Sequence, residues 1–455
     1  PTTRALEVGG GTNLWHGICA RFDPIDFEAR RWIAHSGWPI GARDLEPYYD
    51  EALEWLGVGA APKEGVAPNV TDHDVLVSKA FWTCRRPARM KDAVLRWTRA
   101  GQARCVVNAV ALRLDTDAAG AVRSLVVGRR DGTIEVRAEV FIIAAGALET
   151  PRLLLNSART AAGPFRASAA HVGRYLMDHP VGYFSQLVFH APQAAAFGPP
   201  VTDLRQLAGF ALAPELQRRF GFPNHYVFVR PGVSAAKAPN ELLRNLLAVR
   251  GIRALSPRRL LPALSSPYVL QRILRERLGL GSTSRYGDIY VMAEQVPNPA
   301  SRVTLSSTKR DRHGMPIAQV DWRLSATEWS HFGAYFGKVV QGLRADPRVA
   351  SVRVDPESEW PQVLSSAAHH LGTARMAATP RRGVVDANLR VFGFANLFIS
   401  DGSVFPTAGG TNPSLTICAL ALRLGDYLTR IMTAPVRAGT KALREGGRAL
   451  PARPA

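Results

Sequence analysis

Residues 140–155 read Val140-Phe141-Ile142-Ile143-Ala144-Ala145-Gly146-Ala147-Leu148-Glu149-Thr150-Pro151-Arg152-Leu153-Leu154-Leu155. A continuous apolar run that ends in small residues is the pattern of a strand buried on both faces of a parallel sheet. The glycine marks a turn, and the stretch after it reads as a helix with a proline near its start. In open α/β sheets ligands bind at the carboxyl ends of the strands, so Ala145 and Gly146 stand where a ligand would be met. A plain strand-helix junction has the same appearance. The texture returns late in the chain, where Asn396-Leu397-Phe398-Ile399-Ser400 is a second short buried strand followed by a loop from Asp401 to Thr411.

Between these stretches the pattern differs. Ser185–Phe189, Arg285–Val296 and Ser301–Leu305 mix polar and apolar residues as strands do, and Thr327–Leu343 is helical in spacing. This mixture predicts a second unit in which helices pack on one side of an antiparallel sheet. Nearer the start, Leu125–Val127 and Thr133–Val136 flank Asp131-Gly132, a hairpin signal. Arg104–Leu114 alternates weakly and, containing Cys105-Val106-Val107, predicts a strand, and Asp44 is placed to cap a helix.

The chain has 455 residues with 57 Lys+Arg against 37 Asp+Glu, a formal charge of +20. Only seven of the 57 are lysine. Such a charge permits weak attraction to anionic surfaces, but a specific nucleic-acid site needs clustering. The densest stretch, Arg244–Arg277, reads either as a solvated helical face or as a surface for a peripheral membrane or electron-transfer subunit contact. Four scattered cysteines without a C-x-x-C pair argue against a metal site or thioredoxin-like chemistry. No apolar run reaches the roughly 18 residues of a membrane span. No signal peptide opens the chain as given; the location stays unknown, cytoplasmic by default, with an export signal open to loss along with a missing start.

Two segments carry chemistry. Gly409-Gly410-Thr411-Asn412-Pro413-Ser414-Leu415-Thr416 predicts a helix start, with Asn412 as N-cap and Pro413 at the first helical position. Such a start offers free N–H groups and a partial positive charge to an anion; an ordinary capped helix has the same sequence. Ala368-His369-His370-Leu371-Gly372-Thr373 supplies imidazoles, whose pKa suits a general base, with Gly372 and Thr373 allowing close approach to a ligand. Alone, the histidines are equally compatible with a surface or capping place.

Taken in order, these segments resemble the glucose-methanol-choline (GMC) oxidoreductase family. The likeness runs through His369-His370-Leu371-Gly372-Thr373-Ala374-Arg375-Met376, Gly383-Val384-Val385-Asp386, Leu389–Gly393, Asn396–Thr407 and Gly409–Pro413. Gly9–Trp15, His35–Pro39, Ala144–Leu155, Gly173–His179 and Pro297–Val303 also look like the family. The resemblance implies an α/β fold: a Rossmann-like FAD-binding domain interleaved with an α+β substrate domain built on an antiparallel sheet. The expected division is 1–180 for the first part of the FAD domain, 181–365 for the substrate domain, 366–434 for the returning FAD domain and 435–455 for a disordered tail.

By the same resemblance His369 is the base and Asn412 its partner, while His370 is set aside. Gly10, Gly11, Asn13, Ala145, Gly146, Asp401, Gly402, Asn412, Pro413 and Thr416 are the expected FAD contacts, and Val110, by a looser likeness, lies near the adenine. Some members attach FAD through a histidine in the early Gly-rich loop; Leu14 stands there, so noncovalent FAD is expected. The implied reaction is oxidation of a small alcohol, a sugar or polyol among them. A flavin-containing lyase and a non-catalytic remnant are the alternatives. Family members open with a strand, a G-x-G-x-x-G turn and a helix, and no such unit stands in this chain. The resemblance therefore implies that a βαβ unit of at least ~30 residues is missing, and without it poor FAD binding is expected.

Overall fold

The computed structural model describes residues 4–59, 74–84, 87–159, 170–194, 204–236, 239–242, 267, 269–271, 274 and 283–433. Along the chain run β1 (Ile18–Cys19), α1 (Pro24–Phe27), α2 (Ala42–Trp55), β2 (Leu76–Cys84), α3 (Met90–Arg99), β3 (Val110–Thr116), β4 (Val122–Arg129), β5 (Gly132–Val136), β6 (Phe141–Ile143) and α4 (Gly146–Ala158). Then follow β7 (Pro180–Ala194), β8 (Leu204–Leu212), α5 (Pro214–Phe220), β9 (Tyr226–Gly232), β10 (Thr283–Met292), β11 (Arg302–Arg310), β12 (Pro316–Asp321) and α6 (Ala326–Ala345). The last elements are β13 (Val349–Val354), α7 (Trp360–Val363), β14 (Ser365–Ser366), β15 (Leu397–Ile399) and α8 (Ser414–Thr433).

The large sheet has the order β1-β2-β8-β9-β10-β7-β13, with β14 also on β7, and its pairings are antiparallel. It takes β1 and β2 from the early part of the chain as well as strands from the middle. Alternate residues serve opposite faces. Val227, Val229, Ile289 and Val291 pack in one core with α6, and Tyr226, Phe228 and Met292 in another with Phe81 and Val181. On α6, Phe332, Tyr335, Phe336, Val339, Val340 and Leu343 are buried. Their spacing of three and four residues makes one stripe along the helix. Ser325 starts it with a capping box: its Oγ accepts from Glu328 N at 3.2 Å, and Glu328 Oε2 accepts from Ser325 N at 2.6 Å.

Strands β6 and β15 pair in parallel, Phe141 to Leu397 and Ile143 to Ile399. Phe141 and Ile143 are buried, while Ile142 is 50 % exposed, so β6 is buried on one face of the two its sequence predicts. Pro151 sits well inside α4, not near its start. It has no N–H for the carbonyl of Ala147, one turn back. The buried Thr373 hydroxyl donates to that carbonyl at 2.7 Å instead.

Strands β3, β4 and β5 form a separate sheet that includes the expected hairpin. Of the stretch Arg104–Leu114 expected as a strand, only the part from Val110 on is one, in β3; Val106 and Val107 are each 55 % exposed. Their branched side chains favour a strand, but the partner strand β4 pairs with Val110–Thr116. Asp44 is not the N-cap of α2. Gly41 holds that position, and the Asp44 carboxylate, three residues on, accepts from Gly41 N at 2.7 Å. The tail 435–455 lies outside the described residues, as does the Arg-rich stretch Arg244–Arg277 apart from 267, 269–271 and 274. Among the described residues no helix is long and apolar enough to cross a membrane.

Candidate active site

Two backbone segments meet at the edge of the large sheet. Ser366 pairs with Pro180, and Met177 with Leu371. Between these pairings Asp178 and His179 face four residues, Ala367 to His370. The surplus bulges outward, as an unpaired strand insertion must, and Ala368 takes it up with a left-handed φ of 60°. For a residue with a Cβ that conformation costs about 1–2 kcal/mol. It sets His369 apart from the ladder.

Asp178 holds the bulge. Its Oδ1 accepts from the main-chain N–H of His179 at 2.7 Å and of His369 at 2.8 Å. Its Oδ2 accepts from the Ser366 hydroxyl and lies 3.9 Å from His370 Nε2. Asp178 is anchored in turn, since its N–H donates to Gln295 Oε1 at 2.9 Å, and that oxygen also accepts from Trp322 Nε1 at 2.7 Å. Gly372, at φ 90°, permits the approach of the two segments: a Cβ there would stand 2.1 Å from the Tyr175 carbonyl oxygen. Gly372 thus makes room for the protein's own backbone, where the sequence suggested a ligand.

The C-terminal return brings the second component. Gly372 N donates to Gly402 O at 3.1 Å, Ala374 N to Ser403 O at 2.8 Å and Met376 N to Val404 O at 2.7 Å. Asp401 spends its carboxylate on the scaffold. Its Oδ2 accepts from Gly146 N at 2.9 Å and Thr150 Oγ1 at 2.6 Å, and its Oδ1 from Ser403 N at 2.8 Å. The end of β15 is thereby tied to the start of α4.

Helix α8 begins at Ser414, with Ile417 N donating to Pro413 O at 2.9 Å. Pro413 therefore supplies the first helical carbonyl and stands at the cap position, one place earlier than its sequence suggests. Asn412 precedes the cap and is not the N-cap. Its carboxamide is turned elsewhere, with Nδ2 3.4 Å from His369 Nε2. The helix start and the imidazole compete for one side chain, and the imidazole has it.

A third imidazole completes the group. His179 Nδ1 is 3.0 Å from His369 Nδ1, and His179 Nε2 is 2.8 Å from the carbonyl oxygen of Gly409. The rings of His179 and His369 meet edge to face, with centroids 5.1 Å apart. His179 is fully buried, whereas His369 and Asn412 keep part of their surface. Burial, then the imidazoles of His179, His370 and His16, hold His369 well below the usual imidazole value. Burial also lowers His179, outweighing the Gly409 carbonyl and the carboxylates of Asp178 and Glu294.

The remaining expected contacts fall in four places. Gly10, Gly11 and Asn13 form a single 3-10 turn, in which Asn13 Nδ2 donates to Val8 O at 2.8 Å and Glu7 Oε1 at 3.0 Å. Val110 opens β3, half-buried. Ala145 precedes α4, and Gly146 has a φ of 79° with nothing within 4 Å of where a Cβ would be. Thr416 Oγ1 lies 3.2 Å from Tyr49 OH. A cavity of about 200 Å³ lined by Trp32, His225, Trp329 and Phe332 stands apart from this group, and neither His369 nor Asn412 borders it. Sequence reasoning named His369 and Asn412 but gave no role to Asp178 and His179. The available signal was the Asp-His pair directly before Pro180, at the head of a polar-apolar strand.

Residues 297–421 match the family model of GMC oxidoreductase. Relatives align along nearly all of the chain. A 2-methyl-1,2-propanediol dehydrogenase of Mycolicibacterium austroafricanum is 25% identical over 93% of this chain and 81% of its own length. The fructose dehydrogenase large subunit of Gluconobacter japonicus is 28% identical over 92% of this chain and 80% of its own length. Residues 297–421 form a GMC oxidoreductase C-terminal domain. Its fold is similar to that of an FAD-dependent oxidoreductase from Chaetomium thermophilum, with a TM-score of 0.53 and 16% identity over 94% of this chain and 87% of the other. The matched segment contains His369 and Asn412; His179 reaches them from outside it.

Proposed function

We propose that the whole chain is a GMC oxidoreductase that oxidises the CH–OH group of a small alcohol, with noncovalently held FAD as the redox cofactor and His369 as the base. The observation that carries the reading is the 3.4 Å approach of Asn412 Nδ2 to His369 Nε2. A carboxamide donor and an imidazole nitrogen so close together are placed to share one hydroxyl oxygen. His369 Nε2 accepts the hydroxyl proton, and Asn412 Nδ2 donates to the same oxygen and holds it while negative charge develops. An imidazole held below its usual pKa stays unprotonated at neutral pH, so its lone pair is available. The names of the two relatives, a diol dehydrogenase and a fructose dehydrogenase, support a small polyhydroxylated substrate.

The residues present fit the redox end of a flavin. The first turn of α8 leaves main-chain N–H groups without helical partners, suited to an electron-rich ligand atom. Just before it, the buried Thr411 hydroxyl has no hydrogen-bond partner among the described residues, and Gly146 opens onto free space at the end of β6. Leu14, in the early Gly-rich loop, offers no atom for a covalent link. When bound, FAD supplies the acceptor for the hydrogen that leaves carbon with its electron pair. On this reading 1–180 and 366–434 make most of the cofactor part, and 181–365 lays most of the antiparallel sheet beside it, with β1 and β2 joining that sheet from the first part.

His369→Ala tests the assignment. Anaerobic flavin reduction by an alcohol substrate is expected to slow by about 10²–10⁴, the range for loss of a general base. An unchanged reduction rate would remove His369 from the mechanism.

A further inference from the structure

The base proposed above has two nitrogens, and only the one facing Asn412 is useful to it. The hydrogen-bond partners decide which nitrogen carries the proton. His179 Nε2 lies 2.8 Å from the Gly409 carbonyl oxygen. A carbonyl oxygen only accepts, so this nitrogen carries a hydrogen. Burial lowers the His179 pKa, which keeps the ring neutral and leaves Nδ1 as a bare lone pair. That lone pair faces His369 Nδ1 at 3.0 Å. Two bare nitrogens at this distance would repel, so His369 Nδ1 must donate. A neutral His369 protonated on Nδ1 has its lone pair on Nε2, the atom 3.4 Å from the Asn412 amide.

We propose that His179 is a positioning residue that fixes His369 as its Nδ1–H tautomer, through a hydrogen-bond chain anchored on the Gly409 carbonyl, and so presents a bare Nε2 to the substrate hydroxyl. The inference rests on His369 being the base. It assigns a function to a buried histidine that makes no contact with the substrate oxygen. The other titratable groups around the pair do not substitute for it. Asp178 uses Oδ1 on the main-chain N–H groups of His179 and His369 and Oδ2 on the Ser366 hydroxyl. Glu294 is paired with Arg30, His370 faces Asp178, and His16 acts on His369 through its charge. When Nε2 takes a proton the Nδ1–H bond to His179 remains in place. The imidazolium therefore forms without a change of hydrogen-bond partner.

The tautomer can be read directly from the side-chain nitrogens. Holoenzyme labelled with 15N-histidine, with His369 assigned by loss of its signals in His369→Gln, is expected to show a protonated-type Nδ1 and an unprotonated-type Nε2. His179→Ala removes the acceptor and should shift His369 towards the other tautomer. It should also slow flavin reduction at saturating substrate by about 10–10², as loss of a residue that orients an imidazole does, with KM nearly constant. In His179→Asn the amide oxygen stands near the former Nδ1, so both the tautomer and most of the rate should be retained. In His179→Gln the amide matches Nε2 instead, and the rate should follow the alanine variant. A wild-type His369 protonated on Nε2, or His179→Asn no better than His179→Ala in rate and spectrum, overturns the proposal. If His179→Ala does not fold, the wild-type spectrum and His179→Asn decide. A normal reduction rate in His369→Ala would refute the base assignment while leaving the spectroscopic result intact, so the two failures are distinguishable.

Discussion

Asp26 lies completely buried, with Oδ1 accepting from Asn224 Nδ2 at 2.9 Å and Oδ2 from Asp23 N at 2.9 Å. Burial, then the carboxylates of Asp23 and Glu294, push its pKa up to about 7 from the ordinary 3.8, against the pull of Arg30 and Lys79. The folded protein therefore holds a proton that the unfolded chain has already released. Stability from this group is fully present below about pH 4, declines as the pH rises, and is gone above about pH 7. At 1.36 kcal/mol per tenfold, a window of roughly three decades amounts to about 4 kcal/mol. Glu294 and Asp23 have lowered pKa values and slope the other way, losing stability as the pH falls through those values. The Asp26 contribution is therefore isolated by difference. Asp26→Asn removes the titration but turns an amide N–H₂ towards one of the two donors, at a cost of about 1–2 kcal/mol. The variant should be about 2 kcal/mol more stable than the parent at pH 8 and less stable at pH 4.5. Urea unfolding of both proteins across that range reads the crossing. Parallel pH curves would refute the reasoning, because they would mean that Asp26 is ionised in the fold with no penalty.

Two further perturbations address other parts of the molecule. Glu294→Gln leaves the Arg30 guanidinium buried without its bidentate partner, in a pair that is 0% exposed on both sides. Urea midpoints should report a loss of about 3–5 kcal/mol, much of it recovered in Arg30→Met/Glu294→Leu, where no charge is stranded. Thr411→Val removes a buried hydroxyl that has no partner among the described residues. It should raise the midpoint of the flavin-free protein by about 1 kcal/mol and weaken FAD affinity in a fluorescence titration; unchanged affinity would take Thr411 out of the cofactor site.

What could be read from residues alone was chemistry held at fixed spacing within one segment. The two parallel strands belong to that class, while His369 and Asn412 are singled out together through the resemblance to the GMC oxidoreductase family. The parts that failed depended on competition between distant groups. Asn412 is a favoured capping type, but its sequence neighbours do not reveal that an imidazole 43 residues away takes its amide. Val106 and Val107 have the branched side chains of a strand, yet pairing with β4 begins at Val110. The place of His179 follows from the Met177–Leu371 pairing and a two-residue bulge, which no local pattern announces. The same holds for Thr373, whose hydroxyl serves a carbonyl orphaned by Pro151 in the distant helix α4.

The two-stranded parallel pair has a consequence for how the molecule is made. Phe141–Ile143 cannot find Leu397–Ile399 until some 250 intervening residues have been synthesised, and the first strand of the large sheet reaches the middle of the chain only through β2 and β8. Pairings this remote in sequence close large loops and form late. During translation the apolar Phe141 and Ile143 wait for their partner, and an unpaired apolar strand of this kind is an aggregation hazard until it is covered.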